Sequence, residues 1–196
     1  MNLKHLRTNW TTLLFMTQAL EKKRILFVRR DLELWPEDGK RRELIGGDIF
    51  VSPSPTWTHQ LVLFKLTAII SRYLEMHVIG QAVFAPMDLL LPGEDTVQPD
   101  FMFISNTRTE IISERGVRGA PDWIVEVLSS SNRDYDLETK RRLYARNGVP
   151  VYWAVDPEAR EVRVFTPESE SKFSVDAVLE VPGLDGFQLD VQALFA

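Results

Sequence analysis

Three charged residues stand where the surrounding pattern asks for apolar side chains, and together they form a set able to do chemistry. Glu126 interrupts Trp123-Ile-Val-Glu-Val-Leu128, a run apolar enough to be a strand buried on both faces. An ionised carboxylate there costs on the order of several kcal/mol unless it is paired, metal-bound or neutralised. Asp100 opens a second apolar strand, Asp100-Phe-Met-Phe-Ile104, directly after Pro99. Lys140 lies in a helix expected over 134–146, where Leu137, Lys140 and Tyr144 follow the i, i+3, i+7 spacing of a core-facing stripe. Two carboxylates on neighbouring strands with a lysine aimed at them suit a hard cation, Mg²⁺ or Mn²⁺, which would activate water and stabilise charge on a phosphate. The same three residues also suit a structural alternative, a buried Glu–Lys ion pair that closes the helix onto the sheet.

The elements that must position these residues can be traced along the chain. Glu43-Leu-Ile-Gly-Gly-Asp-Ile-Phe-Val51 reads as a hairpin turning at two glycines. Ser54 is placed to cap a helix with Pro55 in its first position, and the helix should run to Met76 with Leu63, Leu66, Ile70 and Tyr73 on its buried face. Residues 81–91 read as one strand, and a short helix is expected near 107–115. The loop Ser129-Ser-Ser-Asn132 leads into the helix that carries Lys140, which Asn147-Gly148 should stop. Strands at 150–156 and 161–165, then a hairpin and a last helical turn, complete a mixed α/β domain.

Composition narrows the chemistry. The chain has 196 residues and no cysteine, so disulfides, thiolate zinc sites and cysteine nucleophiles are excluded. His5, His59 and His77 lack metal-ligand spacing, and His59 reads more readily as a cap-region or core histidine than as a general base. No apolar run is long enough for a membrane span. A net charge of −5 excludes a globally basic nucleic-acid protein, so any such contact must be local. The apolar stretch Leu13-Leu-Phe-Met16 lacks a small-residue cleavage site and is followed by Glu21-Lys-Lys-Arg24, so a cytoplasmic location is expected.

The ordered segments that carry these residues resemble the Uma2 family (DUF820), within the PD-(D/E)XK nuclease superfamily. They are Arg42-Glu-Leu-Ile-Gly-Gly-Asp48, Ser52-Pro-Ser-Pro55 with His59, Val97-Gln-Pro-Asp-Phe-Met-Phe103, Gly119-Ala-Pro-Asp-Trp-Ile-Val-Glu-Val-Leu-Ser129, Asp136 with Lys140 and Tyr144, and Val151-Tyr-Trp-Ala-Val-Asp-Pro157. The resemblance implies a restriction-endonuclease-like α/β fold, a mixed central β-sheet flanked by helices, over residues 28–196. Residues 1–27 are left as an extension of unknown role. It further implies that Asp100 and Glu126, with the backbone carbonyl of Val127, are the metal ligands. Lys140 would be the catalytic lysine and Glu43 an accessory acid; the alternative for Glu43 is an exposed strand residue paired with Arg41 or Arg42. The superfamily's lysine normally lies two residues after the acid, where this chain has Leu128, so Lys140 stands for it from the next helix. The family's Ser-Pro-Ser is here Ser129-Ser-Ser131.

The activity so implied is Mg²⁺-dependent endonucleolytic hydrolysis of DNA, leaving 5′-phosphate and 3′-hydroxyl ends, with Mn²⁺ able to substitute. The alternative is a nuclease-fold DNA-binding or regulatory protein without catalysis. Glycoside hydrolysis by paired carboxylates fits less well, because a lysine stands between the acids. Arg133, Arg141, Arg142 and Arg146 are expected either to hold phosphates or to form a solvated helix face. Asp136 reads as a first-turn acid favoured by the helix dipole, with orientation of Lys140 as the alternative. Tyr144 is expected to pack, with its hydroxyl near the site. A homodimer is possible, with Val151–Val155 or the C-terminal hairpin pairing across it.

Overall fold

The computed structural model describes residues 25–36 and 38–196; most of the expected extension, residues 1–24, lies outside this range. After a short helix α1 (Arg29–Glu33), strands β1 (Arg41–Ile45) and β2 (Asp48–Ser52) form the expected hairpin. Gly46 and Gly47 have φ of 59° and 82°, the paired left-handed geometry of a tight two-residue turn. The next helix, α2, spans Trp57–Met76 and is capped by Thr56, whose side chain accepts the His59 N–H. The cap thus falls two residues later than Ser54, leaving Pro53 and Pro55 in the connection ahead of it.

The expected strand over 81–91 is divided. Strand β3 (Gly80–Phe84) ends before Pro86, and β4 (Leu89–Leu90) belongs to another sheet. Strands β5 (Thr96–Val97) and β6 (Phe101–Ser105) follow, then a 3₁₀ segment, Asn106–Ile111, in place of the expected short helix. The small strands β7 (Ile112–Ser113) and β8 (Gly116–Arg118) precede β9 (Trp123–Val127). A π-helical segment, Tyr135–Lys140, continues as α3 (Arg141–Arg146) and stops at Asn147, with Gly148 at φ 78°. Strands β10 (Val151–Asp156), β11 (Glu161–Phe165), β12 (Glu170–Ser174), β13 (Val178–Glu180) and β14 (Gln188–Asp190) lead to α4 (Val191–Phe195).

The central sheet is mixed, in the order β12-β11-β10-β9-β6-β3, with only β9 and β10 parallel. Those two strands are buried along their whole length, as their apolar sequences require. Alternation sorts their side chains. Trp123, Val125 and Val127, with Trp153, face α2, α4 and the β13–β14 hairpin in one core. Ile124 and Leu128, with Tyr152, face a second core shared with α3 and the smaller sheet, β2-β1-β5-β4-β8-β7. Both long edges of β10 are taken, by β9 and β11, and Leu179 and Leu189 of the hairpin are buried. Val151–Val155 is therefore not free to pair across a dimer, whereas the hairpin forms a two-stranded sheet of its own.

Candidate active site

The expected residues converge at one end of the central sheet. Asp100 lies just before β6, which pairs with β9, and its Oδ2 accepts the Val127 N–H at 2.8 Å. Glu126 is 1% exposed; its Oε1 accepts from Lys140 Nζ at 2.9 Å and from the Tyr144 hydroxyl at 2.5 Å. Its Oε2 receives only a long hydrogen bond, 3.3 Å, from the Asp100 N–H. Glu43, in the middle of β1, is fully buried rather than an exposed strand residue. It lies 3.0 Å from Lys140 Nζ and also accepts the Gln98 N–H at 2.7 Å and the Tyr135 hydroxyl at 3.1 Å. Val127 enters through its N–H, and it lines the cleft described below.

Further residues join the cluster. Arg41 lies 3.2 Å from Asp100 and 3.5 Å from Glu43. His59 Nε2 is 3.0 Å from Asp100 Oδ2, while its Nδ1 is buried without a partner. Asp136 is buried 3.5 Å from Lys140, so it orients the lysine and is not a solvated first-turn acid. The π winding accounts for this change. Its wider turn brings Asp136 inward and leaves Leu137 half-buried, whereas an α-helix would put Leu137 on the Lys140 stripe. Signals for two of these residues were present: His59 lies on the buried stripe with Leu63, Leu66 and Ile70, and Arg41 shares a strand face with Glu43.

Four carboxylates (Glu43, Asp100, Glu126 and Asp136) thus surround two permanent cations, Arg41 and Lys140, with His59 beside them. Burial opposes the charge on Lys140, but Glu126, Glu43 and Asp136 outweigh it and hold the ammonium well above the usual lysine range. Burial likewise opposes ionisation of Asp100, but the His59 hydrogen bond and charge, with Arg41 and Lys140, keep its carboxyl below the ordinary range. For Glu126 and Asp136 burial prevails over Lys140, and with repulsion from neighbouring acids it pushes both upward. The site holds more acid than its own cations neutralise.

All of these groups except Glu43, which lies buried behind Lys140, line a cleft of about 770 Å³ together with Gln98. The donor chemistry fits a hard divalent cation, which commonly sits on one or two carboxylates with water and substrate oxygens. Among the described residues no group of three His, Cys, Asp or Glu side chains forms a complete metal centre, so such an ion would depend on outside oxygens. The arginines expected either to hold phosphates or to form a solvated helix face do not line the cleft. Arg133 pairs with Asp156, Arg141 with Glu170 at 3.1 Å, Arg142 with Glu138 at 3.7 Å and Arg146 with Asp95.

A mixed sheet flanked by helices, with acids on adjacent central strands and a lysine delivered from the following helix, defines a restriction-endonuclease-like α/β protein. The chain belongs to the Uma2 family, described as "Putative restriction endonuclease", whose model matches residues 29–192. Its fold is similar to the crystal structure of "a putative nuclease belonging to DUF820" from Anabaena variabilis ATCC 29413. The two share a TM-score of 0.75 and 22% identity over 86% of this chain and 97% of the other. No curated protein matches the chain. Among the described residues no helix is long and apolar enough to cross a membrane.

Proposed function

We propose that the chain is a Mg²⁺-dependent endonuclease that hydrolyses phosphodiester bonds of DNA in the cytoplasm, with Mn²⁺ able to replace Mg²⁺. Asp100 and Glu126, with the carbonyl of Val127, would hold the ion; Lys140 is the catalytic lysine and Glu43 the accessory acid. The observation that carries this reading is the excess of buried acid around Lys140 at the floor of an open cleft. A purely structural ion pair needs one carboxylate per lysine, and additional buried acids only add desolvation cost. A bound divalent ion supplies the missing positive charge, lowers the pKa of a coordinated water and stabilises charge on phosphate.

The chain's own residues do the rest. Glu43, Glu126 and Asp136 hold the Lys140 ammonium charged and in one place, so it can support negative charge that develops on a phosphate oxygen. Arg41 offers a second cation on the cleft wall. The Val127 N–H and His59 fix the orientation of the Asp100 carboxylate.

The test is calorimetric titration of Mn²⁺ and Mg²⁺ into the wild type and into Asp100→Ala, Glu126→Ala and Lys140→Met, paired with cleavage of supercoiled DNA. Binding should be lost in both carboxylate variants and kept in the lysine variant, and cleavage should need added metal and be lost in all three. Cleavage that persists in a chelator would overturn the metal assignment. Failure of the wild type to bind metal, even with an oligonucleotide present, would leave the closed ion-pair network of a binding protein.

A further inference from the structure

The two acids read as metal ligands are each gripped firmly by one oxygen. Glu126 Oε1 is taken by Lys140 and Tyr144, whereas its Oε2 receives only the long hydrogen bond from the Asp100 N–H. Asp100 Oδ2 is taken by the Val127 N–H at 2.8 Å and by His59 Nε2 at 3.0 Å. The oxygen of Asp100 that remains, Oδ1, faces a cation of the chain itself, because Arg41 Nη1 donates to it at 3.2 Å. An ion drawn to Asp100 must therefore share Oδ1 with a guanidinium or displace it.

Arg41 and Lys140 differ in how firmly they are placed. The Lys140 side chain is 3% exposed and lies within 3.5 Å of Glu43, Glu126 and Asp136, so its departure would strand three buried acids. The Arg41 side chain is 25% exposed, and its contacts are longer, 3.2 Å to Asp100 and 3.5 Å to Glu43. Its Nε is buried without a partner, so a group rich in donors is under-used where it sits. Glu43 does not depend on it, since Lys140, the Gln98 N–H and the Tyr135 hydroxyl reach the same carboxylate. Arg41 also has room to move, because it opens β1 beside Gly39 and Lys40, and all three line the cleft. Two positive charges crowded onto one carboxylate oxygen repel each other, and a partly buried site screens that repulsion poorly.

We propose that Arg41 is an exchangeable counter-ion that competes with the divalent cation for Asp100 Oδ1, so that this arginine lowers the metal affinity of the site to which it belongs. The inference rests on the metal-dependent reading of the cleft and gives Arg41 the opposite effect from the acids beside it. An arginine that only fixed Asp100 in place would act the other way, and its loss would weaken metal binding.

Calorimetric titration of Mn²⁺ into the wild type, Arg41→Gln and Arg41→Lys tests the exchange. Arg41→Gln should bind about tenfold tighter than the wild type, and Arg41→Lys, which keeps the charge, should stay within about threefold of it. Urea midpoints in chelator and in saturating Mn²⁺ give a second reading, since a ligand stabilises the folded state more as its concentration exceeds Kd. The midpoint of Arg41→Gln should lie below the wild type in chelator and rise further on addition of Mn²⁺. Should neither variant fold, Mg²⁺ titrated into the wild type still reads the exchange through the nuclear magnetic resonance of the Arg41 Nε–H, which should shift as the ion binds. A resonance unmoved at saturating Mg²⁺ overturns the exchange. Equal or weaker Mn²⁺ binding by Arg41→Gln overturns it too and leaves the metal reading intact, as does an Arg41→Lys affinity that rises with that of Arg41→Gln. Absence of Mn²⁺ binding in the wild type and Arg41→Gln alike refutes the metal reading itself.

Discussion

One five-residue strand separates two opposite ways of filling an interior. On one face of β9, Trp123, Val125 and Val127 enter an all-apolar core in which Trp123 and Trp153 meet edge to face with centroids 4.6 Å apart. On the other face, Glu126 stands between Ile124 and Leu128 and meets Lys140 and Tyr144. The apolar face stabilises by removing surface from water, about 1.5–3 kcal/mol per large side chain. The charged face must first recover a desolvation cost of several kcal/mol per ion, on the order of what its pairings return. The contrast is local to Glu126, since Ile124 and Leu128 beside it belong to a second apolar core, and the reactive groups sit where that core gives way to charge.

The comparison can be broken or sharpened by substitution. The largest effect is expected on the apolar face, where Trp153→Ala should lose about 3–5 kcal/mol in urea unfolding while the folded fraction keeps its metal affinity. A joint loss of metal affinity in the folded protein would show that the two faces are coupled. On the charged face the two partners of one ion pair should behave unequally. Lys140→Met strands three carboxylates and should cost about 3 kcal/mol, whereas Glu126→Gln relieves acid excess and should change stability by less than about 1 kcal/mol. Equal losses in the two variants would reduce the site to a simple structural pair.

The smallest effect concerns a pair outside the cleft lining, Arg133 and Asp156. Burial raises the Asp156 carboxyl, but Arg133 and the N–H groups of Ala159 and Glu158 outweigh it and hold it below the ordinary range. A depressed carboxylate pKa contributes stability that is present above its unfolded value, about 3.9, and lost as the pH falls through the folded value. Arg133→Ala should therefore be less stable than the wild type at neutral pH, with the gap closing toward acid. Urea midpoints measured across that range would show it, and a gap that widens toward acid would refute the assignment.

Much of the fold was legible because apolar pattern and turn chemistry are local signals. The runs of β9 and β10, the paired glycines of the first hairpin and the Asn147-Gly148 stop each specify their element without outside information. Boundaries were less legible. Ser54 and Thr56 are both competent caps, and it is Thr56 that makes the capping hydrogen bond, to the His59 N–H. The 81–91 strand read as continuous because its apolar pattern carries on through a proline at which the chain changes sheets. Within the site, Asp100, Glu126 and Lys140 stood out as charges in apolar surroundings. Arg41 and His59 stood out less, because their partner Asp100 is distant in sequence, and for Asp136 the i, i+4 spacing to Lys140 was legible but its burial in a π turn was not.

The elements that carry the opposite charges also differ in how they are tied down. Glu126 lies within β9 and Asp100 immediately before β6, both strands of the central sheet paired on both sides. Arg41 comes from β1, which is joined by five register pairs to β2 and by a single pair to β5, and Lys140 comes from a π segment. Local opening begins in the weakly paired elements, with free energies far below that of global unfolding. Opening of β1 would carry away Arg41 together with Glu43, and opening of the π segment Lys140 together with Asp136, while Asp100 and Glu126 stay with the central sheet. Each peripheral element thus leaves with a cation and an acid, and the pair that stays behind is the one read as holding a metal.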